Sequence, residues 1–275
     1  MSTKACSTKA AQSWAALAPL VTGAGDFLAV EGYQLRPSLW LVPGDIRLSE
    51  FESICPTGWT EALAGYARGY RVSGALYRLF RAVASLHNAD YVLVDLGPNV
   101  SALNRTALVA SDGFVVPLAP DLFSIRALPS VGKSIASWVR DWGVAVASKP
   151  SSVDFDLPDG HPRPLGYVTQ QYTTYSGEPA AAYRDWAAEI PAAYQAGVMA
   201  PLAEVRLRTG NSEELQLAKI KNLSSLVPTA QRAHKAIFEL SGSEARGSHH
   251  TKAQGTRSLF TQLAQQMTRL LNAES

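Results

Sequence analysis

Cysteine is almost missing from this sequence, with Cys6 and Cys55 the two in 275 residues. Two cysteines make no disulfide framework, which excludes a small stapled scaffold and fits a reducing compartment. An excess of one charge is missing too. Lys and Arg number 25 against 23 Asp and Glu, a formal net charge of +2. No overall basic field draws in nucleic acid, so any such contact has to come from a local patch. Charged residues are 17% of the chain, below the usual quarter or so. No apolar run reaches the roughly 18 residues of a membrane span. The longest uncharged stretch, Ala10 to Gly25, is interrupted by Gln12, Ser13, Pro19 and two glycines. Lys4 and Lys9 precede an alanine-rich run that lacks the leucine-rich centre of a signal peptide. The expected location is the cytoplasm. No repeat of fixed period occurs.

Apolar residues make up 47% of the chain, enough for a sizeable core and too many for a disordered chain. Short apolar runs bounded by turn residues predict buried strands at Leu39–Val42, Tyr91–Val94 (closed by Asp95), Phe114–Leu118 and Leu165–Val168. A helix is expected over Ser13–Leu20, followed by a loop through Thr22–Asp26. Residues 45–60 are mixed. From Gly69 to His87, Val72, Leu76, Leu79, Phe80, Val83 and Leu86 fall on one helical stripe. Further helices are expected at Ala107–Ala110, at Leu128–Trp142, at Ala180–Met199 with a kink or break at Pro191, and at Ser258–Leu271. Lys149–Pro164 is proline-rich and predicts a surface loop. Continuously apolar strands alternating with amphipathic helices predict an α/β fold: a mainly parallel sheet with helices on both faces. The four strands are expected as neighbours in that sheet, with Asp95 at its C-terminal edge.

Several patterns are tempting and incomplete. Val131-Gly-Lys-Ser134 has the ending of a phosphate-binding loop, but the earlier glycine that motif needs is Ala127. Lys133 is therefore expected on a helix. His249-His250 has no third metal ligand nearby, and His161 lies in the proline-rich loop. Asp154, Asp156 and Asp159 lack the glycine and closing glutamate of a calcium loop. Ser101 and Ser124 sit in no Gly-x-Ser-x-Gly elbow. The aromatic residues of 180–199 have core spacing. Arg68, Arg71, Arg78, Arg81 and Arg105 are the candidates for a DNA-facing patch, against the plainer expectation of solvated side chains.

One longer pattern is more specific. Val92-Leu-Val-Asp-Leu-Gly-Pro98 leads to Asn104, Ala107-Leu108, Asp112, Val116-Pro117 and Asp121-Leu-Phe-Ser124, in that order. Leu41-Val-Pro-Gly-Asp45 with Leu48-Ser-Glu-Phe-Glu52 precedes it, Gly166-Tyr-Val-Thr-Gln-Gln171 follows, and Ser225–Leu240 closes it. Over residues 39–271 this resembles the ParA/MinD family of partition ATPases, the deviant-Walker branch of the P-loop NTPases. The resemblance implies a P-loop NTPase-like fold over 39–275, with 1–38 an N-terminal helix and loop outside it. It implies ATP and Mg2+ as cofactors. Asp95 would be the magnesium-side aspartate, Gly97-Pro98-Asn99 the switch-like loop, and Gln170 or Gln171 would lie near the base. Implied partners are a second copy of the chain in a homodimer, non-specific DNA, or a partition partner protein, in plasmid or chromosome partitioning.

The departure from the family is as informative. Its opening Gly-Gly-x-Gly-Lys loop occurs nowhere in this sequence, so the resemblance implies a truncated or a degenerate member that lacks the family's first βα unit. Charge-assisted phosphate contacts contribute on the order of 1.5–3 kcal/mol each. Their loss predicts no tight ATP binding and no hydrolysis by the chain as it stands. A missing βα unit also predicts unpaired backbone and exposed apolar surface. The alternative is a non-enzymatic regulatory or interaction protein that keeps the fold.

Overall fold

The computed structural model describes residues 12–172, 174–175, 178–179, 181–207 and 215–273, with side chains described outside 171–182. The chain forms two compact units. The first holds Met1–Ser111 and Ser137–Pro162; the second holds Asp112–Ala136 and Arg163–Ser275.

The first unit is helical, with one small hairpin. Helix α1 (Ser13–Thr22) buries Trp14, Leu17 and Leu20 and stops where Gly23 takes a left-handed conformation. Strands β1 (Tyr33–Arg36) and β2 (Leu39–Leu41) pair antiparallel across a tight turn. The Leu39–Val42 run is thus a hairpin arm and not a member of the parallel sheet: its nearest ladder partner is a few residues away, and local closure is favoured. Leu35, Leu39 and Leu41 remain exposed on it. Helix α2 (Leu48–Leu63) occupies the stretch whose sequence is mixed. Phe51, Cys55, Trp59 and Ala62 share its buried face, the spacing of a helical stripe. Helices α3 (Ala67–Ser73) and α4 (Ala75–His87) are one helical stripe broken at Gly74. Val72, Leu76 and Leu79 are buried, with Phe80 and Val83 packed against the same cluster. Helix α5 (Ala102–Val109) starts at Ser101, whose hydroxyl accepts the amide of Asn104. A second cluster forms where Trp142, stacked on Trp59 at 5.5 Å, meets Tyr70, Ala145 and Val153.

The second unit holds a parallel sheet. Strand β3 (Gly113–Leu118) pairs with β4 (Arg163–Tyr172), and β4 with β7 (Gln216–Lys221), in the order β3-β4-β7. The short strands β5 (Thr174–Tyr175) and β6 (Glu178–Pro179) form a separate antiparallel pair. Helix α6 (Leu122–Ala147) begins in this unit and ends in the first. Helix α7 (Ala181–Tyr194) contains Pro191 and continues as a π-helical turn, Gln195–Met199, then α8 (Ala200–Glu204). The proline removes a helical donor, and the wider turn begins four residues on, at Gln195. Helix α9 (Leu226–Ala233) and the 3-10 turn Ile237–Glu239 lead to α10 (Ser248–Asn272).

Consecutive strand residues point to opposite faces. Tyr167 packs at a tilt against Tyr194 of α7, ring centres 5.0 Å apart, while Val168 packs with Leu259, Leu263, Met267 and Leu270 of α10. The sheet of this unit is covered on both faces, and the fold is α/β. No described helix is long and apolar enough to cross a membrane.

Candidate functional site

The loop after the apolar run Tyr91–Val94 is where the sequence concentrates its chemistry. Residues 91–97 are not a strand, contrary to expectation. A strand is defined by its ladder, and among the described residues no backbone hydrogen bond reaches Val92, Leu93, Val94 or Asp95. Asp95 therefore does not stand at a sheet edge. It is exposed, at the end of a segment with no regular secondary structure.

Beyond it the chain is firmly shaped. The amide of Asn99 donates to the Gly97 carbonyl at 2.9 Å, turning the backbone about Pro98. Asn104, buried in the first turn of α5, aims its Nδ2 at three oxygens: Gly97 O at 2.8 Å, Asn99 O at 2.7 Å and Asn99 Oδ1 at 2.9 Å. Three acceptors around one nitrogen fix the orientation of that amide. The sequence shows Asn104 as part of a motif; its work is to hold the Gly97–Asn99 loop.

The donor set does not fit a magnesium–nucleotide group as it stands. Asp95 brings one carboxylate. The carbonyls of Gly97 and Asn99 already accept from Asn104. No group of three or more His, Cys, Asp or Glu able to hold a metal occurs among the described residues. A Cβ on Gly97 would meet only Asn99 Oδ1 at 4.0 Å, so no backbone cradle closes there. Gln170 lies on β4 opposite Ile220, partly exposed, in the second unit. Gln171 continues β4, and its side chain lies outside the described residues. Asp95, Gly97 and Pro98 thus share one loop of the first unit, and the two glutamines share one strand of the second.

Val131-Gly-Lys-Ser134 is interior helix. Gly132 serves a close helix crossing, since a Cβ there would sit 2.1 Å from the carbonyl oxygen of Gly197 in the π-helical turn. Lys133 is exposed on α6.

The five arginines do not form one outward patch. Arg78 is turned inward, donating to both oxygens of Asp26, to the Arg71 carbonyl at 2.9 Å, and stacking on Phe155 at 4.3 Å. Arg105 lies over the Trp59 ring at 4.3 Å, and burial lowers its pKa despite the nearby Asp141. Arg68 pairs with Glu61 at 2.7 Å. Arg71 and Arg81 are exposed. The Arg78 and Arg105 contacts were invisible in sequence because their partners come from distant segments. His161 and His249 are exposed, the latter 3.5 Å from Ser225. Cys55 is fully buried, which pushes its thiol up to about 12 and removes it from nucleophilic chemistry.

No protein-family model matches the chain. It is 37% identical over 59 residues to an uncharacterized protein of Pseudomonas putida strain KT2440, and equally to an uncharacterized protein in the gidB 3′ region of Pseudomonas putida. The match takes in 21% of this chain and 22% of each relative, so the chain spans about a fifth of the length of the curated relatives it matches. The crystal structure of protein DIP2308 from Corynebacterium diphtheriae is similar with a TM-score of 0.66 at 19% identity, covering 97% of this chain and 78% of that one. That likeness extends over nearly the whole chain and shows a shared fold.

Proposed function

We propose that this chain is a relative of the ParA/MinD partition ATPases that does not turn over ATP by itself. The observation that carries this reading is the loop Asp95–Asn99. It keeps the order of an acidic residue, glycine, proline and asparagine, and the α5 side chain Asn104 holds it in shape. Among the described residues no lysine bonds to this loop and no backbone closes on Gly97, whereas phosphates require lysines or clustered backbone amides. The work of such a chain in the cytoplasm is recognition: of a second copy, of a partition partner protein, or of DNA.

Calorimetric titration with ATP and Mg2+, paired with a phosphate-release assay, tests the reading. The expected result is no micromolar binding and no hydrolysis above background. Micromolar binding that disappears in Asp95→Ala would overturn it. The second reading, a purely non-enzymatic interaction protein, is favoured by the exposed apolar run before Asp95. It predicts the same titration and differs in requiring no partition partner.

A further inference from the structure

The segment Asp90–Asp95 combines features that a finished protein surface seldom joins. Leu93 is 85% exposed, Val92 46% and Val94 37%. The run is continuously apolar, the pattern of a strand meant to be covered on both faces. Its backbone forms no helix, turn or strand and, from Val92 to Asp95, makes no backbone hydrogen bond among the described residues. An open row of amides and carbonyls on apolar residues is a template for strand addition.

Charge decides what can fill it. Asp90 and Asp95 bracket the run, both are exposed, and neither has an ion-pair partner among the described residues. A second copy pairing antiparallel through the same run would set Asp90 opposite Asp95 at both ends. Parallel pairing would set each aspartate beside its own counterpart. Like charges placed across a ladder are destabilising, so the run disfavours itself as a partner. A strand with basic residues at its ends meets both carboxylates favourably.

We propose that Val92–Asp95 is a strand position filled by an extended segment of another polypeptide, apolar at its centre and flanked on both sides by Lys or Arg. Backbone pairing supplies the adhesion, the apolar centre covers Leu93 and its neighbours, and the flanking charges set the register. This goes beyond the proposed function and stands whether or not nucleotide binds.

The test uses the full chain and a labelled peptide, Lys-Lys-Val-Ile-Val-Val-Lys-Lys, followed by fluorescence anisotropy and amide hydrogen exchange. The expected result is saturable binding with slowed exchange at residues 92–95. Replacing the flanking lysines by glutamates should weaken binding at least tenfold, as should proline at the peptide centre. Leu93→Lys, at a position too exposed to disturb folding, should also weaken it at least tenfold. Absence of binding, equal binding of the acidic-flanked peptide, or binding without protection at 92–95 would overturn the proposal. So would a dimer of the chain alone that protects the same amides, since the occupant would then be a second copy.

Discussion

Asp26 shows how one carboxylate organises a remote arginine. Both its oxygens accept from Arg78, whose guanidinium also lies 4.9 Å from the Phe27 ring and 4.3 Å from that of Phe155. Burial alone would raise the Asp26 carboxyl, but hydrogen bonds from Arg78 and from the Phe27 amide outweigh it, and the pKa lies below the ordinary 3.8. An acid with a lowered pKa contributes stability that is complete above its unfolded value and is lost as pH falls through the folded one. Asp26→Asn should therefore destabilise the fold at pH 7 by about 1 kcal/mol, a value discounted because the carboxylate is partly solvated. The gap to the parent chain should close as pH falls below 3.8; urea denaturation across pH measures it, and a gap that widens in acid would refute the assignment. Asn104→Ala removes the amide that holds Gly97 and Asn99. It should cost about 1–3 kcal/mol and speed amide exchange at Asn99, leaving α4 unaffected. Neither residue's partner was legible in sequence: Asp26 meets Arg78 only after the intervening helices fold back, and a buried asparagine carries no periodic signal.

Elements were legible where one face repeats and obscure where the repeat is interrupted. The α10 stripe, Leu259, Leu263, Met267 and Leu270, is visible in sequence and packs on the sheet as expected. Helix α2 carries an equally regular stripe through Phe51, Cys55 and Trp59, but Pro56 and Gly58 inside it disguise the period. Strand β7 is short, carries Lys219 and Lys221, and lacks the continuous apolar run that marks β3 and β4. The Tyr91–Val94 run has the composition of a strand; composition supplies the propensity, and only a neighbour supplies the ladder. The glycine of the false phosphate motif is explained at this scale. Helix α6 and the π-helical turn approach so closely that Gly132 and Gly197 both lack room for a side chain, with a Cβ on Gly197 3.0 Å from Leu128 Cβ. Gly132→Ala should cost about 2–4 kcal/mol through forced separation of the two helices. Lys133→Ala, one residue along on the exposed face, should change stability by less than about 0.5 kcal/mol. Thermal denaturation of the two variants distinguishes a packing glycine from a ligand-binding one.

At the scale of the molecule, the chain leaves its first unit at Ser111, returns through the C-terminal half of α6, and leaves again at Pro162. The helical core around Trp59 is therefore incomplete without residues 137–162. Trp142 is fully buried there, stacks on Trp59, and donates its indole N–H to the Pro158 carbonyl at 2.8 Å. Tyr70 reaches across to the Ala145 carbonyl at 2.6 Å. Gly160 takes a left-handed conformation, with φ of +73°, and its backbone lies against the Trp142 ring, where a Cβ would lie 2.1 Å from Cδ1. Trp142→Ala removes the centre of this cluster and should cost about 3–5 kcal/mol. Each unit has its own core, so the loss should be local. Hydrogen exchange of the variant should accelerate over α2 and α3, at Trp59, Ala62 and Tyr70, while the amides of β3, β4 and β7 keep their protection. Equal acceleration in the sheet would mean that the two units unfold as one, and that residues 137–162 hold the whole chain together rather than completing the helical unit alone.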